Sequence, residues 1–338
     1  MRDVAIVAVA RADHVRKDRA RNEVEILMPV VHQVLEDSGI PKEEIGFTCS
    51  GTCDFLAGQP FSFVSALDAV GAWPPIIESH VEMDGAWALY EAWVRLQHGD
   101  LDSALVYAVG KSSMGDLKDV LCLQLDPYVL APLWPDPISL AALQARAYLE
   151  ASGKTEGDLA AVAAAYNGTT AEELLTEPYI VSPLRKHDCP PVADGAAAVV
   201  LAAGDLASEV CSRPAWIRGI DHRIEQHSLG ARDLTTSPSA ALAASKAGVG
   251  DAGVDVAELH APFTHQELML REAIGLADDT KVNPSGGPLA GNPVMVAGLE
   301  RFVEAAGRIH RGEASRAVAH ATSGPCLQQN LVAVLGAD

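Results

Sequence analysis

Four short stretches of this 338-residue chain place groups able to move a proton, hold an anion or attack carbon where an apolar run meets a helix start or a turn. Glu82 and Asp84 lie in Val81-Glu82-Met83-Asp84-Gly85, His260 in the HAPF stretch His260–Phe263, Asn292 in Gly291-Asn292-Pro293, and Cys326 in SGPCLQQN. A neutral imidazole or a carboxylate can act as a general base near pH 7. A side-chain amide can donate to an oxyanion, and a thiol attacks once it is a thiolate. Each group also has a plain structural use. Glu82 can complement a helix dipole, Asp84 can cap the helix, and His260 can be a strand-end histidine satisfied by backbone. Asn292 fits an ordinary turn before proline, and Cys326 fits an inert buried thiol.

The elements that must position these groups occur twice. Ala86–Gly115 (AWALYEAWVRLQHGDLDSALVYAVGKSSMG) and Val294–Gly324 (VMVAGLERFVEAAGRIHRGEASRAVAHATSG) both read as an amphipathic helix, a Gly-acid turn and an apolar strand ending in small polar residues. Upstream, Val34–Cys53 matches Ala244–Phe263 as helix, acidic connector and strand. Two half-chains in one order predict two similar α/β halves packed about a pseudo-twofold axis. Sites in such folds lie where strands end and helices begin, because helix N-termini supply N–H groups and a positive dipole. His98 and His310 fall at the helix C-termini of the two copies, where a cation is favourable, and are read as structural.

Composition narrows the function classes. With 49% hydrophobic residues the chain can bury a large core. A balance of 25 Lys+Arg against 45 Asp+Glu argues against nucleic acid or an anionic membrane surface as partner. No apolar run reaches membrane-spanning length, and the N-terminus reads as a buried first strand, so a cytoplasmic protein is expected. The six cysteines lack paired metal spacing apart from CSGTC (Cys49, Cys53), a weak zinc half-site, so no metal is expected.

Longer motifs carry a family resemblance. Asp188–Leu201 (DCPPVADGAAAVVL) is similar to the C/D-x-P-x-S/A-D-G-A-A-A segment of thiolases, and Val282–Gly287 (VNPSGG) to their N-P-x-G-G stretch. HAPF resembles the H-D-C-F motif of the sterol-carrier-protein type, also called lipid-transfer proteins. The resemblance implies a five-layered αβαβα thiolase fold of two duplicated halves. Residues 1–110 with 189–204 would form the N-terminal half, 111–188 a loop domain over the site, and 205–338 the C-terminal half.

The resemblance also implies where working groups have changed. The family's nucleophilic Cys heads the helix of the first copy about three residues before a Gly, and Glu82 stands there. The oxyanion-binding His of G-H-P becomes Asn292, the acid/base Cys of H-D-C-F becomes Pro262 while His260 is kept, and C-x-G becomes Thr322-Ser323-Gly324 with Cys326 just beyond. A carboxylate cannot replace a thiolate that must attack an acyl-CoA and leave again. The implied activity is retro-aldol cleavage of a CoA thioester in lipid or steroid side-chain breakdown, with His260 or Glu82 as base. The alternative is a non-catalytic or half-catalytic subunit. CoA enters as substrate, with no bound cofactor. Expected partners are a second copy or a thiolase paralogue, joined through the strand ending near Gly110–Ser113, and a small zinc-ribbon and OB-fold acyl-CoA-binding protein.

Overall fold

The computed structural model describes residues 2–338. Ten strands form its main sheet structure: β1 Val4–Arg11, β2 Phe47–Gly51, β3 Glu78–Val81, β4 Ser103–Lys111, β5 Asp194–Ala203, β6 Ala215–Ile224, β7 Val256–Leu259, β8 Lys281–Val282, β9 Arg316–Ser323 and β10 Gln329–Gly336. Their spatial order is β3-β2-β4-β5-β1 and then β6-β10-β9-β7-β8. Adding five to any label in the first set gives its counterpart in the second, so the duplication read in the sequence is a duplication of topology. The two five-stranded sheets meet where β1 and β6 pair antiparallel at Ala5–Trp216 and Ile6–Ala215.

Nine helices matter for the site: α1 Glu23–Ser38, α2 Phe63–Val70, α3 Gly85–Leu96, α4 Leu117–Leu123, α5 Pro137–Ser152, α6 Glu156–Asn167, α7 Pro238–Ala247, α8 Thr264–Ile274 and α9 Ala297–His310. The five layers follow from their packing. α1 and α2 cover the outer face of the first sheet, and α7 and α8 cover the outer face of the second. α3 and α9, the helices of the two long repeats, lie between the sheets and share one apolar core with both. That middle layer is possible because the strands facing it carry alanine and valine, with all ten residues of β5 buried. Gly110 at the end of β4 shows how tight the layer is: a Cβ there would sit 2.2 Å from the Val294 carbonyl oxygen.

Residues 111–188 carry α4, α5, α6 and a small antiparallel pair, Tyr179–Val181 with Leu184–Arg185. α5 and α6 start at capped residues, Asp136 and Thr155, and pack with Leu184 around Phe263 of the second half. Asp188 ties the segment's end to α8 by accepting from Thr264 Oγ1 at 2.6 Å.

Two expectations need correction. β4 is flanked by β2 and β5, so its apolar run LVYAVG is internal and offers no edge for association. The first sheet ends at β3, whose sequence ESHV is polar. His310 is not a cation at a helix end: burial lowers its pKa, and the neutral ring bonds the Ile6 carbonyl at 2.9 Å. No helix among the described residues is long and apolar enough to cross a membrane.

Candidate active site

A cavity of about 460 Å³ opens where the N-terminal ends of α3 and α9 meet the C-terminal ends of β7 and β9, with α4 and α5 across the top. Glu82, His260, Asn292 and Cys326 all line it, as do Asp84, Cys53, Gln124, Gln266 and Lys118. The opposite wall is apolar, from Leu117, Leu121, Ile138, Leu140, Ala141 and Phe263.

The helix α3 begins at Gly85, with Asp84 as its cap. Glu82 therefore lies outside that helix, exposed, and its Oε1 accepts from the Asp54 N–H at 2.5 Å, heading the short helix Asp54–Ala57. Asp84 does more than cap its own helix. Its two oxygens accept from Ala86, Gly298 and Leu299 N–H groups, each at 2.9 Å, and so fasten the N-termini of α3 and α9 to one another. Gly298 leaves the room for this, since a Cβ there would lie 2.4 Å from Asp84 Oδ1. Burial pushes the Asp84 carboxyl up to about 6 against the pull of those three amides. The anion-favouring focus of the two central helices is thus already filled by the chain's own carboxylate.

His260 follows β7. Its place is set from behind by Asn283 of VNPSGG, which accepts from the Leu259 N–H at 2.6 Å and donates to Glu267 of α8 at 2.8 Å. The ring is buried, and burial, with lesser contributions from His320 and Arg301, pushes its pKa down to about 3. Nδ1 accepts from the Thr322 N–H at 3.4 Å, which leaves the proton of the neutral ring on Nε2. The base role expected for His260 does not fit that tautomer, because neither nitrogen is free to take a proton. The ring offers an N–H donor instead.

Asn292 is held through its backbone, by its N–H to Pro191 O at 3.0 Å and a bridge to Val192, and its Oδ1 has no partner. The DCPPVADG and GNP motifs therefore meet at the cavity. Cys326 lies in the loop between β9 and β10, and both it and Leu327 have left-handed φ, 56° and 57°. Gln144 and Arg232 grip its carbonyl at 3.2 and 2.6 Å, which keeps this unfavourable backbone in place. Its thiol is buried, bonded to the Leu140 carbonyl at 3.4 Å, and pushed up to about 11 by burial, so it carries little thiolate at neutral pH. No group of three or more His, Cys, Asp or Glu side chains among the described residues could hold a metal ion.

The site thus joins a carboxylate at its edge, a neutral imidazole N–H donor and a side-chain amide. Sequence reasoning named Cys53 only as part of a weak zinc half-site and did not find Gln266 or Gln124. Gln266 stands one helical turn past HAPF, and Gln124 donates to Cys53 Sγ at 2.8 Å across 71 residues, a contact without local signal.

No protein-family model matches the chain. In sequence it is 27% identical to an acetyl-CoA acetyltransferase of Methanothermobacter thermautotrophicus, over 83% of this chain and 84% of that protein. It is 26% identical to the benzoylsuccinyl-CoA thiolase subunit BbsB of Thauera aromatica, over 48% of this chain and 51% of that one. In structure it matches the Ltp2-ChsH2(DUF35) aldolase with a TM-score of 0.78 at 17% identity, covering 99% of this chain and 98% of that chain. It matches human mitochondrial 3-ketoacyl-CoA thiolase with the same score and identity, covering 99% of both. The duplicated five-layered fold is that of the thiolases, and the ordered motifs and these likenesses make the chain similar to them in sequence as well.

Proposed function

We propose that the protein cleaves a carbon–carbon bond in a CoA thioester by a retro-aldol step, without a covalent enzyme intermediate. Glu82, in place of a nucleophile at the edge of the cavity, carries this reading. A retro-aldol step needs a base for the 3-hydroxyl proton and donors for the thioester oxygen. Glu82 takes the proton with its second oxygen, the 3-hydroxyl becomes a carbonyl, and the Cα–Cβ bond breaks. Its electron pair passes to the thioester as an enolate, held by His260 Nε2–H and the Asn292 amide, and protonation at Cα completes the step. The solved structure titled an aldolase supports the reading through shared fold alone. Cleavage of a 3-hydroxyacyl-CoA by the protein, with whatever subunit copurifies, is the test. Glu82→Gln should lower kcat by the ~10²–10⁴ of a lost general base. An unchanged rate would remove Glu82 from that role.

A second reading has its own support. One relative is named as a subunit, and one structural neighbour's title joins two proteins. The chain would then be a half-catalytic member of a hetero-oligomer, with a thiolase paralogue or a small acyl-CoA-binding protein as partner. Activity abolished only by substitutions in the partner would decide for it.

A further inference from the structure

Among the described residues that line the cavity, Lys118 is the one cation, and it is exposed. It lies in the first turn of α4, on the face that carries Leu121 and Leu125, which line the cavity with it. The other end of α4 is tied to the reacting groups. Gln124 caps that end, and its Nε2 donates to Cys53 Sγ at 2.8 Å. The adjacent Asp54 N–H donates to Glu82 Oε1 at 2.5 Å, so α4 runs from the Glu82 end of the cavity, past Leu121, to Lys118. With a rise of 1.5 Å per residue, the Cα atoms of Lys118 and Gln124 stand roughly 9 Å apart along the helix axis, and the lysine side chain leans further toward the N-terminus.

The carboxylates at the starts of α4 and α5 are committed elsewhere. Asp116 accepts from the Lys118 and Asp119 N–H groups at 3.1 and 3.4 Å, and Asp119 accepts from Trp134 Nε1 at 3.0 Å. Asp136 accepts from the Ile138 N–H at 3.0 Å and from Ser139 Oγ at 2.5 Å. No ion pair among the described residues involves Lys118. An apolar stripe thus leads from the reacting groups to an unpaired ammonium.

We infer that the acyl group taken by this cavity ends in a carboxylate that pairs with Lys118, which makes the ligand an ω-carboxyacyl thioester and Lys118 a specificity determinant. The inference rests on the thioester reading for what occupies the Glu82 end, and adds a charge at the far end of the acyl chain. An extended chain advances roughly 1.2 Å per bond, so about seven or eight carbons cover the distance. A plain hydrocarbon end would strip water from the ammonium and return nothing.

The experiment reads binding with thioethers, which are not cleaved and carry no 3-hydroxyl. Two series are prepared, one on CoA and one on N-acetylcysteamine, which has no phosphates. Each holds chains of increasing length that end in a carboxylate or in the matched neutral carboxamide. In the unaltered protein the best-fitting carboxylate should bind about fivefold more tightly than its carboxamide, and less so at high salt. Lys118→Met, an exposed change that keeps a good helix former, should bring the ratio to one or below, and Lys118→Arg should keep the preference.

That pattern in the N-acetylcysteamine series with no binding in the CoA series would support the Lys118 assignment and count against CoA as carrier. Equal affinity of carboxylate and carboxamide at every length, or no binding in either series, overturns the inference. A preference that survives Lys118→Met overturns it as well. So does a weakening by Lys118→Met that is confined to the CoA series and equal for both end groups, because Lys118 would then serve the phosphates.

Discussion

Asp84 commits its carboxylate to three backbone N–H groups on two helices, and the chemistry of the cavity follows from that. A negative charge already sits at the joint N-terminus of α3 and α9, so an acyl-enzyme oxyanion or a thiolate gains little there. Asp84→Ala should destabilise the fold by about 2–4 kcal/mol, the loss of two helix caps with buried donors left bare, read as a lower urea midpoint. Gly298→Ala should weaken the same joint by steric contact, with a smaller shift if the carboxylate can retreat. At His260, an Nε2–H donor predicts that His260→Ala lowers kcat by ~10²–10³. A base would have been replaceable by an added amine, whereas a lost donor is not rescued by external base. The sequence placed four candidate residues on one cavity, because helix starts and strand ends are marked by short motifs. It did not reveal which of them can titrate, since burial and the Thr322 contact come from elements 62 residues apart.

The elements of the second half carry three buried imidazoles: His260 after β7, His265 in α8 and His320 in β9. Burial pushes them down to about 3, 3 and 4. A histidine with a depressed folded pKa stays neutral in the fold and protonates on unfolding at about 6.5. Its contribution is whole above pH 6.5 and is lost as pH falls toward 4. Three such groups should give unfolding free energy a slope of about 4 kcal/mol per pH unit between about pH 6 and 4. Urea denaturation at pH 7.5, 6 and 5 measures it, and His265→Gln should remove about one third of the slope. Repeats and periodicity made the helix–strand units of the two halves legible, because each is a local pattern. The order of strands was less legible. β4 reads as an apolar edge, but an apolar run on both faces of a strand equally describes one enclosed between neighbours, as it is here.

Across the whole molecule, two half-chains of one topology enclose a cavity with Glu82 at its edge, while both thiols in its wall, Cys53 and Cys326, are buried with raised pKa. The retro-aldol step proposed above asks for no thiolate, which is in keeping with the raised pKa of these two thiols. The most direct measurement follows a 3-hydroxyacyl-CoA incubated with the protein and its copurifying subunit, with products and intact protein mass recorded with and without added free CoA. The proposed chemistry predicts a shortened acyl-CoA plus a carbonyl compound, no requirement for free CoA, and no acyl adduct on the chain. Cleavage that consumes free CoA, or an acyl adduct on Cys326 or Cys53, would contradict it.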